Sequence, residues 1–146
     1  WAAPKLDVAT IATYQPTRVR SVGGYTIDDH PHLLTPAIRS LFEALRKEVL
    51  ALDPCVREEF MKLYVAYKAE YNFVDVVPQA RKLRLAINMP FAAIDDPKGL
   101  CTDVTGRGRW GNGDVECGLK SIDEIPYVMG LVRQSYERQM GDGGQP

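Results

Sequence analysis

Two histidines separated by a single residue are the first candidates for chemistry in this sequence. His30 and His32 lie beside Asp28 and Asp29, and such side chains can hold a divalent metal where alternate residues of a strand point the same way. Pro31 lies between the histidines, however, and a helix pattern follows directly, so a loop leading into that helix is the favoured interpretation. We therefore predict no metal ion and no cofactor.

Catalysis by the remaining reactive side chains is not favoured either. Asp114, Glu116 and Lys120 are the residue types of a metal-dependent nuclease, but their spacing differs from the Asp…Glu-x-Lys pattern of restriction-type nucleases. Neither histidine lies near a cysteine, and no phosphate-binding loop, dinucleotide fingerprint or Gly-x-Ser-x-Gly occurs. We predict that this domain is not catalytic, with a cryptic nuclease or a small-molecule site at residues 28–32 as the enzymatic alternative.

A polar and aromatic constellation is the remaining candidate. Aromatic faces stack on unpaired bases while Lys and Arg follow the phosphates, so these side chains suit nucleic acid or a protein partner. We expect Arg109 to contact a phosphate or a base edge and Trp110 to stack. In the alternative interpretation, the tyrosines and Trp110 pack in the core or on the sheet, and the charged side chains form a solvated face. The predicted contact residues are Lys62, Tyr64, Lys68, Arg84, Arg107, Arg109, Trp110, Asn112 and Asp114.

Two helices are predicted to flank the segment that carries these residues. Apolar residues recur at steps of three and four from Leu34 to Leu52. Thr35-Pro36 supplies a cap and a first-turn proline, and Asp53-Pro54 ends the pattern. A late helix follows Ser121 and Glu124, which have the spacing of a capping box.

Strand patterns fill the interval between the helices. Residues 63–67, 72–77 and 83–89 are rich in β-branched or alternating apolar side chains, and Asn112-Gly113 is the preferred pair for a tight hairpin turn before residues 115–119. Cys117 alternates with apolar neighbours and is predicted to be a core residue. We expect an α+β fold: four to five largely antiparallel strands, with the early and late helix packed on one face.

Composition limits the class of protein. The 146 residues are 45% hydrophobic and 25% charged, as in ordinary globular domains, and the net charge of −1 gives no general attraction for nucleic acid or anionic membranes. Three widely spaced cysteines do not form a disulfide framework, and no apolar run approaches the ~20 residues of a membrane span. We expect a cytoplasmic protein without membrane contact.

The domain organisation follows from the ends of the chain. Residues 1–27 lack a sustained period and are predicted to be a linker from a preceding domain, because the chain starts at Trp1. Residues 28–140 form a single α+β domain. The glycine-rich residues 141–146 are predicted to be a disordered tail.

Several segments together resemble a bacterial domain family of unknown function. They are L-Y-V-A-Y-K at 63–68, N-F-V-D-V-V-P-Q at 72–79, K-L-R-L at 82–85, D-P-K-G-L at 96–100, D-V-T-G at 103–106, R-W-G-N-G-D at 109–114, Y-V-M at 127–129 and Q-S-Y at 134–136. The family is similar to the C-terminal module that follows the ParB-like and HNH-type parts of GmrSD-type modification-dependent restriction endonucleases. It also follows some restriction-type nuclease domains, and some members are labelled "predicted transport protein". The resemblance covers roughly residues 25–139.

The resemblance implies a role in defence against foreign DNA. Members often have His-Trp at the position of Arg109-Trp110, which suits stacking better than acid–base chemistry. We therefore expect a non-catalytic accessory domain for recognition, regulation or assembly in a DNA-targeting restriction or phage-defence protein. Its partners would be DNA or the upstream nuclease domains of the same chain. The alternative is a protein-interaction or dimerisation module, in which a homo-oligomer forms without nucleic-acid binding.

Overall fold

The computed structural model of this chain describes residues 24–105 and 114–140. Along the chain, its main elements are one helix, six strands and a second helix, and the fifth strand has only two residues. Their bounds are α1 Pro36–Leu50, β1 Arg57–Phe60, β2 Val65–Lys68, β3 Asn72–Pro78, β4 Leu83–Ile87, β5 Thr102–Asp103, β6 Val115–Leu119 and α2 Ile125–Met140. The part of the chain that the structure describes is therefore α+β.

The six strands form one antiparallel sheet. Their order is β1-β2-β3-β4-β6-β5, so β6 lies between β4 and the two-residue edge strand β5. The register pairs Val76 of β3 with Leu85 of β4, and Leu85 with Cys117 of β6. Because alternate residues of a strand point to opposite faces, these pairs place one apolar row across the sheet on a single face.

Both helices cover that apolar face. Ile38, Phe42 and Leu45 of α1 and Val128 and Val132 of α2 belong to one buried cluster together with the apolar row of the sheet. The apolar residues of β4 and β6 are almost completely buried, including Cys117 at 3% exposure. The predicted arrangement of two helices on one face of the sheet is thus what the core shows.

The opposite side of the sheet, here called the polar face, carries charged side chains. It is the face of Glu59, Lys68, Arg84 and Glu116, whose side chains alternate with the core residues along their strands. Two ion pairs bridge neighbouring strands there: Lys68 with Glu59 at 2.5 Å and Arg84 with Glu116 at 3.1 Å. A ligand that reaches these side chains therefore meets charges rather than the core.

Both helix starts agree with the sequence patterns, with one difference in chemistry at each. The Thr35 side chain does not cap α1; its hydroxyl donates instead to the carbonyl oxygen of His32. Ser121 and Glu124 form the expected capping box, but it opens a short 3-10 helix, Ile122–Glu124, that runs directly into α2. Leu34, which the pattern places in the buried stripe, precedes α1 and is 59% exposed.

The sheet has more strands than the four or five expected. The additional strands are β1, whose Arg-Glu-Glu-Phe sequence has little β propensity, and β5, which lies in a segment with turn-forming residues. Both lie at edges, where pairing with a single neighbour is enough to fix a short strand. The Asn112-Gly113 turn lies outside the described residues. Within residues 24–105 and 114–140, neither helix combines the length and the apolarity needed to cross a lipid bilayer.

Candidate functional site

A basic groove lies on the polar face, where β4 and β6 run side by side. We call it the lysine groove and define it by Lys82, Arg84, Thr102, Glu116, Gly118 and Lys120, which line a cavity of about 480 Å³. Arg84 is opposite Gly118 in the register, and Thr102 of the edge strand is opposite Glu116. Three adjacent strands thus contribute side chains to one concave surface.

Gly118 lies beneath one of the lysines. A Cβ atom built at this position would be 3.4 Å from Cδ and 3.6 Å from Nζ of Lys82, so the lysine side chain passes directly over the glycine. Because Gly118 has no side chain, no atom beyond its backbone separates Lys82 from the sheet there. Its ammonium group is therefore held over β6, close to the backbone of the strand and on the side of Arg84.

The carboxylates of the lysine groove are already engaged. Glu116 pairs with Arg84 at 3.1 Å. Glu124 accepts hydrogen bonds from the backbone amides of Lys120 and Ser121 at 2.7 and 3.4 Å as part of the capping box. Among the described residues, the salt bridges include neither Lys82 nor Lys120. Two ammonium groups thus remain to attract an anion, and Lys side chains bind the phosphates of nucleic acids in this way.

A second cavity, the His30 cavity, adjoins the lysine groove. Its volume is about 350 Å³, and it is lined by His30, His32, Lys62, Leu63, Val77 and Arg84, among others. Arg84 and Gln79 contribute to both cavities. The two cavities therefore adjoin at these side chains.

The two histidines considered as metal ligands have different environments. His30 is buried, its ring is 6.0 Å from that of Phe60, and desolvation lowers its pKa although the Met61 backbone and Asp29 act in the opposite direction. His32 is exposed in a 3-10 helix. Among the described residues, no three His, Cys, Asp or Glu side chains are grouped in a way that could hold a metal ion.

The structure brings two of the predicted contact residues to this site. Arg84 lies between the cavities, and Lys62 lies in the exposed connection between β1 and β2 at the His30 cavity. Asp114 is half-buried directly before β6, and its carbonyl oxygen accepts a hydrogen bond from the backbone amide of Val104. Arg107, Arg109, Trp110 and Asn112 lie outside the described residues.

Tyr64 and Lys68 lie elsewhere on the polar face. Lys68 is paired with Glu59, and Tyr64 is half-buried, with a pKa raised first by burial and then by the Asp75 carboxylate. Tyr67, another tyrosine of these strands, points into the core with no exposed surface. For Tyr67 the packing interpretation is therefore correct, and this side chain cannot stack on a ligand.

Sequence reasoning gave little weight to the residues that define the lysine groove. The sequence patterns single out Lys120 only as a nuclease residue type and do not single out Lys82 or Gly118. The alternation that buries Leu83, Leu85, Cys117 and Leu119 also places their neighbours on the other face, and this was the signal available. What the alternation cannot give is the pairing of β4 with β6.

These features define an α+β domain in which two helices cover one face of an antiparallel sheet while the other face carries a basic groove. Comparison with family models then assigns the family. Residues 29–139 match the model described as "Domain of unknown function (DUF5655)", and this chain belongs to that family.

Comparison with curated proteins gives one informative relative. The chain is 35% identical over 117 residues to an "Uncharacterized protein" of Haemophilus influenzae (strain ATCC 51907 / DSM 11121 / KW20 / Rd). The match covers 80% of this chain and 39% of that protein, so the chain spans about two fifths of the length of its relative. No solved structure matches the chain.

Proposed function

We propose that this chain is a non-catalytic accessory domain of a larger DNA-targeting protein and that it contacts the nucleic-acid backbone through the lysine groove. The observation that carries the proposal is the position of Lys82 and Lys120 beside Arg84 on the polar face, without a carboxylate partner for either lysine among the described residues. Clustered ammonium groups bind phosphates with release of counterions.

The relative supports the accessory role, because it contains the matching region as a minor part of a longer chain. The restriction or phage-defence context is the part of the proposal that rests on the sequence resemblance. In that context, the domain would position DNA for catalytic parts that lie elsewhere in the protein, and the net charge of −1 would confine attraction to the local basic surface.

Salt dependence of binding tests the proposal. Fluorescence anisotropy would measure the affinity for single-stranded and duplex oligonucleotides between about 50 and 300 mM salt. Each lost phosphate contact makes the fall of log K with log salt shallower by about 0.7–0.9 in slope. The double variant Lys82→Gln/Lys120→Gln should therefore reduce the steepness by roughly 1.5. The matched control is Lys47→Gln/Arg138→Gln, which removes two exposed positive charges from α1 and α2.

The control should leave the slope unchanged. Equal slopes for the two double variants, or no binding by the unaltered protein at about 50 mM salt, would refute the proposal. Sedimentation equilibrium on the same sample distinguishes the alternative function, since a homodimer that ignores DNA is what a dimerisation module would give.

A further inference from the structure

The His30 cavity has the dimensions of a small-ligand site. Its volume of about 350 Å³ lies at the lower end of the ~300–1,000 Å³ range of ligand pockets. Part of its lining is apolar, from Leu63, Val77 and the two prolines Pro31 and Pro78. A flat, largely apolar group with a polar edge fits such a lining better than an ion or an extended peptide.

His30 lines the cavity and carries a buried polar atom without a partner. The residue is 3% exposed, and its Nε2 is buried without a hydrogen-bond partner in the part of the chain that the structure describes. Desolvation favours the neutral imidazole, in which one ring nitrogen is an acceptor. A buried group left unsatisfied destabilises the fold, and a ligand that donates a hydrogen bond would remove that cost.

The surroundings of the cavity suit a sugar and phosphate. Lys62 and Arg84 line it, and no Asp or Glu does so among the described lining residues. The amide of Gln79, which can both donate and accept, is shared with the lysine groove. A chain of phosphates in the groove would therefore place a neighbouring nucleotide at the cavity.

We propose that the His30 cavity receives one unpaired nucleobase from a nucleic-acid strand whose phosphates lie along the lysine groove, an inference that rests on the proposed function. A paired base cannot enter, because it is stacked within the duplex and its Watson–Crick edge is occupied. An extrahelical or single-stranded base has that edge free, and its amino or imino group becomes the donor for Nε2 of His30 once the cavity wall shifts enough to expose this buried atom. The cavity walls then replace part of the stacking that the base gives up.

The test compares three duplexes of one sequence: fully paired, with a single bulged base, and with an abasic residue in place of the bulged base. Anisotropy should give roughly tenfold tighter binding of the bulged-base duplex than of either other duplex. Leu63→Trp fills the cavity from an exposed position and should abolish this difference. Leu34→Trp is the matched control, since Leu34 and Leu63 are 59% and 51% exposed and Leu34 is not among the lining residues.

His30→Phe examines the proposed hydrogen bond separately. It keeps an aromatic ring next to Phe60 but removes the acceptor, and should reduce the preference for the bulged base by roughly 3- to 10-fold. Circular dichroism would establish that the variant is folded. If it is not, Leu63→Trp still decides the question, because Leu63 lies in an exposed connection.

The outcomes separate this inference from the function on which it rests. Equal affinity for the bulged and the abasic duplex, or equal effects of the two tryptophan variants, would overturn the base-binding cavity while leaving backbone binding intact. Failure to bind any of the three duplexes at about 50 mM salt would remove the proposed function and this inference with it. Tight binding of the bulged base that only Leu63→Trp and His30→Phe weaken is the supporting result.

Discussion

The buried ion pair between α1 and the edge strand β1 gives a sharp prediction about stability. Glu58 has no exposed side-chain surface, and its carboxylate accepts hydrogen bonds from Nε and Nη2 of Arg46 at 2.7 and 2.8 Å and from the hydroxyl of Tyr67 at 2.8 Å. Burial by itself lowers the pKa of Arg46, but the Glu58 carboxylate outweighs it, so the net shift is upward. Glu58→Gln removes the negative charge and keeps the shape.

The expected magnitude follows from the burial of both partners. Breaking a buried ion pair costs about 3–5 kcal/mol, because the remaining charge is left uncompensated. The Arg46 side chain is 21% exposed, however, and lies 3.2 Å from the Glu43 carboxylate, so some hydration and a second partner remain. We therefore expect Glu58→Gln to lower the free energy of unfolding by about 2–4 kcal/mol, and Tyr67→Phe, which removes one hydrogen bond, by about 1–2 kcal/mol.

Urea unfolding monitored by circular dichroism would measure both values. The control is Glu137→Gln, which removes an exposed pair with Arg133 at 3.7 Å and should cost less than about 1 kcal/mol. If Glu58→Gln were no more destabilising than Glu137→Gln, Arg46 and Glu58 would not be coupled as the geometry implies. In that case this pair would not stabilise the packing of β1 against α1.

Three further predictions concern other buried groups. Desolvation lowers the pKa of His30 from its usual 6.5, so the folded state binds a proton less readily than the unfolded state. The free energy of unfolding should therefore fall as the pH drops below about 6.5. In urea titrations, His30→Phe should reduce this pH dependence. Ser135→Ala should cost about 1–3 kcal/mol in thermal unfolding, because its buried hydroxyl lies 3.0 Å from the backbone carbonyl oxygens of Phe73 and Asn88 and its single proton is donated between them. In thiol labelling followed by mass spectrometry, exposed Cys55 should react before Cys101 and before buried Cys117. The pKa of Cys101 is raised first by the Cys117 thiol and then by burial, which slows its reaction.

Each of these expectations has a contradicting result. A pH dependence that is identical with and without the imidazole would show that His30 does not contribute to it. A wild-type melting temperature for Ser135→Ala would mean that the Ser135 hydroxyl adds no net stability, since the Phe73 carbonyl also accepts from the Asn88 amide. Modification of Cys117 at the rate of Cys55 would show that β6 opens far more readily than its buried position implies.

The sequence predicts best those elements in which a single period determines burial. The three- and four-residue steps of α1, and the alternation in β4 and β6, each reflect a local geometry that a neighbour does not alter. Leu83 and Leu85 are accordingly buried as expected. Leu34 fits the same helical pattern but is exposed, because the helix begins after Thr35 and the pattern alone does not determine where its first turn starts.

The strand β1 could not have been predicted in the same way. Its two glutamates have low β propensity, and Glu58 is buried only because Arg46, which belongs to α1, supplies a positive charge from another element. The partner lies twelve residues away in sequence, and its position depends on how α1 packs on the sheet. The sequence of residues 57–60 alone therefore indicates neither the partner of Glu58 nor the burial of its side chain.

By itself, then, the sequence determined the α+β class, both helices, the apolar rows of the central strands and the absence of a general positive charge, since composition and periodicity are local properties of the chain. Only the tertiary structure decided that β6 lies next to β4, that Lys82 passes over Gly118, and that Tyr67 belongs to the core while Lys120 lines a groove. The physical reason is that strand order and the choice of ion-pair partners depend on contacts between distant segments. Such contacts form only when the sheet assembles and the helices cover one of its two faces.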